Sequence, residues 1–72
     1  MNIIDTKTGA VVNTGYVFRR KDYRGRYKTY RLDRVGINNA ELVEVKENAL
    51  HSIVMVIPLI ALAQYGLDVS IF

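Results

Sequence analysis

The sequence predicts a small all-β domain of about five strands with a short helical turn before the last one. Three observations predict it. Apolar and polar residues alternate with period two through "YKTYRLDRV" and "AELVEVKE", the pattern of half-buried strands. Clusters of Asp, Asn and Gly separate the strand-like runs, as in "DTKTG", "DYRG" and "GINN". "PLIALAQYG" opens on a proline suited to a first helical position and closes on a glycine suited to a helix stop.

Taken in order, "NIIDTKTGAVV" sets short apolar pairs around a turn-forming cluster, so residues 1–10 read as an N-terminal arm or hairpin. "YVF" after Gly15 is a strand-forming triplet of aromatic and β-branched residues. "RRKDYRG" follows as a long, irregular hairpin loop. In "YKTYRLDRV", Tyr30 and Leu32 mark the core face, leaving Tyr27, Thr29 and Arg31 on the solvent face and Lys28 at the core-side rim. "AELVEVKE" slips from alternation at Leu42 and Val43, which suggests a bulge there. "LHSIVMVI" is apolar on both faces, as expected of a central core strand or of an oligomer contact. One or two helical turns fit between Pro58 and Gly66, and "LDVSIF" closes as a short strand. The expected core is Val12, Val17, Tyr30, Leu32, Leu42, Val45, Ile53, Met55, Ile57, Leu59, Leu62, Leu67, Val69 and Ile71.

This order over residues 11–72 resembles the SH3-like small β-barrels, which have a long first hairpin loop, three meandering strands and one helical turn before the last strand. A chain of 72 residues makes one domain at most, read here as 1–72, and the resemblance implies the barrel at 11–72. Binding of proline-rich peptides does not carry over, because it needs an acidic, aromatic first loop with tryptophan, and this chain has a basic loop and no tryptophan. The opening "IIDTKTGAVV" is similar to the start of many short phage and prophage proteins.

Charge is the main functional signal. Residues 16–34 carry eight Lys and Arg against Asp22 and Asp33, which is +6, and the rest of the chain sums to −3. Such asymmetry bears on partners rather than on fold. The candidate polyanion contacts are Arg19, Arg20, Lys21, Arg24, Arg26, Lys28 and Arg31, with Tyr23 and Tyr27 beside them. Lys and Arg neutralise phosphates and release counterions, and tyrosine rings offer stacking platforms for unpaired bases, a role open also to Tyr16 and Tyr30. The competing reading is a solvated hairpin whose cationic stems cover apolar edges and guard against aggregation.

Other chemistries find little support. With no cysteine and His51 as the sole histidine, the common zinc sites are excluded. Ser52 beside His51 would point to the opposite face of a strand, so no triad forms. Glu41, Glu44 and Glu47 lack the spacing and turn glycine of a calcium loop. We expect no enzyme activity, metal or cofactor. No secretory signal is visible in "MNIIDTKTGAVV", and absence of cysteine suits the cytoplasm.

The leading function is therefore a small non-catalytic nucleic-acid-binding or regulatory protein that uses the basic, tyrosine-containing block. The alternative is a protein-interaction module, for instance a phage-encoded modulator whose basic face meets an acidic host protein. Val54, Val56 and Phe72 are candidates for self-association into a homodimer, since a small barrel has only one interior to bury them. A third reading, a small membrane protein, requires the uncharged stretch 49–67 to form one helix.

Overall fold

The computed structural model describes residues 2–46 and 52–70. The strands are β1 (Asn2–Asp5), β2 (Val11–Val12), β3 (Val17–Lys21), β4 (Tyr27–Val35), β5 (Asn39–Val45), β6 (Ile53–Pro58) and β7 (Leu67–Ser70), with a 3-10 helix at Leu59–Tyr65 between the last two. They form two antiparallel sheets, one ordered β2-β1-β7 and the other β3-β4-β5-β6. The all-β class and the helical turn before the last strand are as expected. No strand of one sheet pairs with a strand of the other among the described residues, so the expected barrel is not closed. The strand number also exceeds the expected five because the N-terminal hairpin contributes two strands and β1 lies at the centre of its sheet.

One core joins the sheets. Ile3, Val12 and Leu67 from the three-stranded sheet meet Phe18, Tyr30, Leu32, Ala40 and Leu42 from the four-stranded one, with Leu62 of the 3-10 helix between them. Each fully buried leucine here is worth about 1.5–3 kcal/mol of transfer free energy. Met55, Ile57, Leu59 and Val69 pack partly buried against this cluster, as expected. An aromatic row crosses it: Tyr16 stacks on Phe18 at 5.7 Å, Phe18 lies 5.7 Å from Tyr30, and Tyr30 meets Tyr65 edge-on at 5.1 Å.

Three core expectations are overturned. Val17 is 54% exposed and Phe18 is buried in its place, because β3 pairs Phe18 with Tyr30 and Val17 with Arg31. Ile53 is 49% exposed, since it sits on the core side but at the sheet rim opposite Glu44. Val45 is opposite Thr29 and lies on the outer face, half-buried. The bulge is also elsewhere: the register shifts between Leu32 and Arg34 in β4, so Asp33 is the extra residue. Val43 breaks the alternation of β5 because it is buried on the outer face of an interior strand, between Arg31 and Val54.

Among the described residues β6 pairs only with β5 and is an edge strand, which removes the central-strand reading of "LHSIVMVI". Residues 53–67 form a strand, a 3-10 helix and the start of β7, and no helix among the described residues is long and apolar enough to cross a membrane. The single-helix reading of 49–67 is thereby overturned. The expectations for Glu47, His51, Ile71 and Phe72 lie outside the described residues.

Candidate nucleic-acid interface

The basic block is the β3–β4 hairpin. It is compact, where a long irregular loop was expected: Lys21 still pairs with Tyr27, so only Asp22–Arg26 lies outside the ladder. The reason is Asp22. Its carboxylate accepts the backbone N–H groups of Arg24 and Arg26, both at 2.9 Å, while its own N–H donates to the Arg26 carbonyl at 2.8 Å. Gly25 N–H closes the turn on the Asp22 carbonyl at 3.0 Å. The Arg26 N–H in particular holds the Asp22 carboxyl below the usual range. The one acid of the loop is thus engaged with its backbone, and Tyr23, Arg24 and Arg26 project into solvent.

Strand pairing sorts the remaining candidates by face. Arg19 opposite Thr29, Lys21 opposite Tyr27 and Val17 opposite Arg31 share the outer face. Arg20 opposite Lys28 and Phe18 opposite Tyr30 point the other way. On the outer face the Arg19 guanidinium lies 4.8 Å from the centre of the Tyr27 ring, and Lys21 Nζ lies 6.0 Å from it. Arg24 covers Tyr23 at 5.3 Å. Tyr27 is 61% exposed and Tyr23 89% exposed, so both rings keep surface for a ligand. Among the described residues Arg19, Lys21, Arg24 and Arg26 form no ion pair. An open groove of about 380 Å³ is lined by Arg19, Tyr27, Lys28, Thr29, Glu44, Val45 and Lys46.

The other three candidate cations are engaged. Arg31 shares the outer face but donates to Asp33 from Nε at 2.5 Å, a contact that raises the guanidinium pKa and lowers that of the carboxyl. Lys28 lies 3.5 Å from Glu44, which Lys46 also clasps. Lys46 does most to hold the Glu44 carboxyl below its usual range, against its burial. Arg20 leaves the hairpin surface altogether: its Nη2 donates to Asp5 Oδ1 at 2.9 Å and its Nε to the Tyr65 carbonyl at 2.7 Å. Two proposed stacking platforms are likewise internal, since Tyr30 is buried and the Tyr16 hydroxyl donates to Asp5 at 2.6 Å.

The acidic candidates do not assemble. Glu41 lies opposite Val56 on the outer face and Glu44 opposite Tyr30 on the inner one, and no group of three or more metal-ligating side chains occurs among the described residues. Thr29 and Val45 complete the groove. Val45 escaped notice because an apolar residue in a strand reads first as core. Comparison with protein-family models, curated proteins and solved structures finds no match.

Proposed function

We propose that the chain is a small non-catalytic nucleic-acid-binding protein whose contact surface is the outer face and tip of the β3–β4 hairpin. The observation that carries this reading is that Arg19, Lys21, Arg24 and Arg26, which form no ion pair among the described residues, share one hairpin with two exposed tyrosines. Phosphates would meet Arg19, Lys21, Arg24 and Arg26, and unpaired bases would stack on Tyr27 and Tyr23. Arg31 is a lesser contact because Asp33 already satisfies it, and Arg20 is a structural residue. The block carries no base-reading motif, so affinity is mostly electrostatic and sequence-tolerant. A cytoplasmic setting fits this role.

The test is a titration of labelled single- and double-stranded oligonucleotides at about 50 mM and about 200 mM salt. Binding that weakens steeply with salt supports the reading. Absence of binding at the lower salt contradicts it and transfers the basic face to an acidic protein partner, as for a phage-encoded module acting on a host protein.

A further inference from the structure

The four-stranded sheet ends on β3 at one side and β6 at the other, and the two edges are built differently. β3 carries Arg19, Arg20 and Lys21 in five residues. β6, "IVMVIP", carries no charge, and its only guard is Pro58 at the very end. Natural sheets protect open edges with lysines, prolines or bulges, and an unguarded apolar edge is a template for another strand. On the outer face Val54 and Val56 are each 63% exposed beside buried Val43, while on the opposite face Met55 and Ile57 pack against the core and the Tyr65 hydroxyl of the 3-10 helix meets Met55.

We infer that β6 pairs with β6 of a second copy, antiparallel about a two-fold axis through Met55. Opposed residues in an antiparallel pair lie on the same face, so only registers that match outer with outer residues are allowed. Centring on Met55 sets Val54 against the partner's Val56 on the outer face and Ile53 against the partner's Ile57 on the inner face. It overlaps all of residues 53–57. Centring on Val56 instead would oppose Val54 to the partner's Pro58, whose missing N–H is poorly placed in a ladder.

Charge distribution selects a copy of this chain over an acidic stranger. Among the described residues six cations form no ion pair, and four of them, Arg19, Lys21, Arg24 and Arg26, sit on β3 and its hairpin at the far side of the sheet, against Arg34 alone near Val56, so an acidic partner is steered mainly to the hairpin. In the paired arrangement the two β3 strands stand about seven strand spacings apart, on the order of 34 Å, well beyond the screening length at physiological salt. The net charge of +3 per chain therefore opposes self-pairing little. The result is one eight-stranded sheet with a basic hairpin at each end.

Sedimentation equilibrium of the full chain tests this up to concentrations on the order of 100 µM, where a weak edge contact becomes populated. The expected result is an average mass that rises from one chain toward two. Val54→Lys and Val56→Lys hold the mass at one chain, whereas Val17→Lys, at an equally exposed site on the other edge, behaves as the parent does. Met55→Cys introduces the sole cysteine, and the short Cα separation of directly opposed residues suits a disulfide, so mild oxidation yields a covalent dimer. A parent mass that stays at one chain overturns the inference. So does a Val56→Lys variant that associates as the parent does, or a Val17→Cys variant that cross-links as readily as Met55→Cys.

Discussion

Arg20 and Asp5 meet at 2.9 Å across the seam between the two sheets, an ion pair whose carboxylate is 2% exposed. Asp5 also accepts the Tyr16 hydroxyl at 2.6 Å and the Lys7 N–H at 2.9 Å, so its lone pairs are well used. Arg20 in turn lies 4.8 Å over the Phe18 ring and donates to the Tyr65 carbonyl. One side chain thereby links β1, the aromatic row and the end of the 3-10 helix.

Neighbouring arginines should therefore behave differently. Arg20→Met strands a buried carboxylate and is expected to cost about 3–5 kcal/mol, comparable with the whole stability of so small a domain. Arg19→Met, on the outer face, is expected to change stability by less than about 0.5 kcal/mol. Urea unfolding of the two variants measures the contrast. Equal losses would mean that Arg20 is not the tie.

Asp5 also sets the pH response. The Tyr16 hydroxyl does most to lower its pKa, with the Lys7 N–H and Arg20 adding to the effect against the cost of burial. A depressed carboxyl contributes stability that is present above its unfolded pKa, about 4, and lost as pH falls through the folded value. Tyr16 shifts the opposite way, raised first by its bond to Asp5. Its contribution is present below the unfolded value of about 10 and lost as pH rises through the folded one. Unfolding midpoints followed below pH 4 and above pH 10 should fall at both ends. Tyr16→Phe should move the acid loss to higher pH and reduce the alkaline loss to the share of buried Tyr30, which is also raised.

Gly66 is pinned twice. It follows the 3-10 helix at φ +74°, and a Cβ there would stand 2.7 Å from Arg20 Nε. Gly9 has nearly the same φ, +75°, with nothing within 4 Å of a Cβ. Gly9→Ala should show the backbone penalty alone, about 1–2 kcal/mol. Gly66→Ala should cost more, by displacing Arg20 from Asp5 and the Tyr65 carbonyl. Thermal melts of the pair read the difference, and equal shifts would remove the steric claim.

The register of β3 gives a fourth contrast. Phe18→Ala is expected to cost about 3–5 kcal/mol. Val17→Ala, at an exposed position, should stay within about 0.5 kcal/mol. Denaturation midpoints in urea decide it, and a larger loss at Val17 would reverse the register.

This contrast also marks the limit of what the sequence could tell. Period-two alternation placed Tyr30, Leu32 and Leu42 inside, and turn chemistry located "DTKTG", "GINN" and the Pro58–Gly66 segment, because those signals are local. "YVF" offers three apolar residues in a row, so alternation cannot choose between Val17 and Phe18, and a one-residue slip exchanges every face. With Phe18 inside, Arg20 follows it inward by period two. That is how a candidate phosphate contact became the tie between sheets. Asp5 gave no warning, since a lone aspartate beside a turn normally faces water. An apolar run of β6's kind fits an interior strand or an unguarded edge equally well, and strand order depends on contacts far apart in the chain.

The salt dependence of oligonucleotide binding reads the role of the four cations of the β3–β4 hairpin without intermediate assumptions. With Arg19, Lys21, Arg24 and Arg26 each meeting a phosphate, the logarithm of the binding constant should fall against the logarithm of salt with a slope near −3 for a single strand. Arg24→Glu combined with Arg26→Glu should weaken binding at least tenfold and flatten that slope by about half, leaving the unfolding midpoint unchanged. Salt-independent binding, or a double variant that binds as the parent does, would mean that the hairpin is not the contact surface.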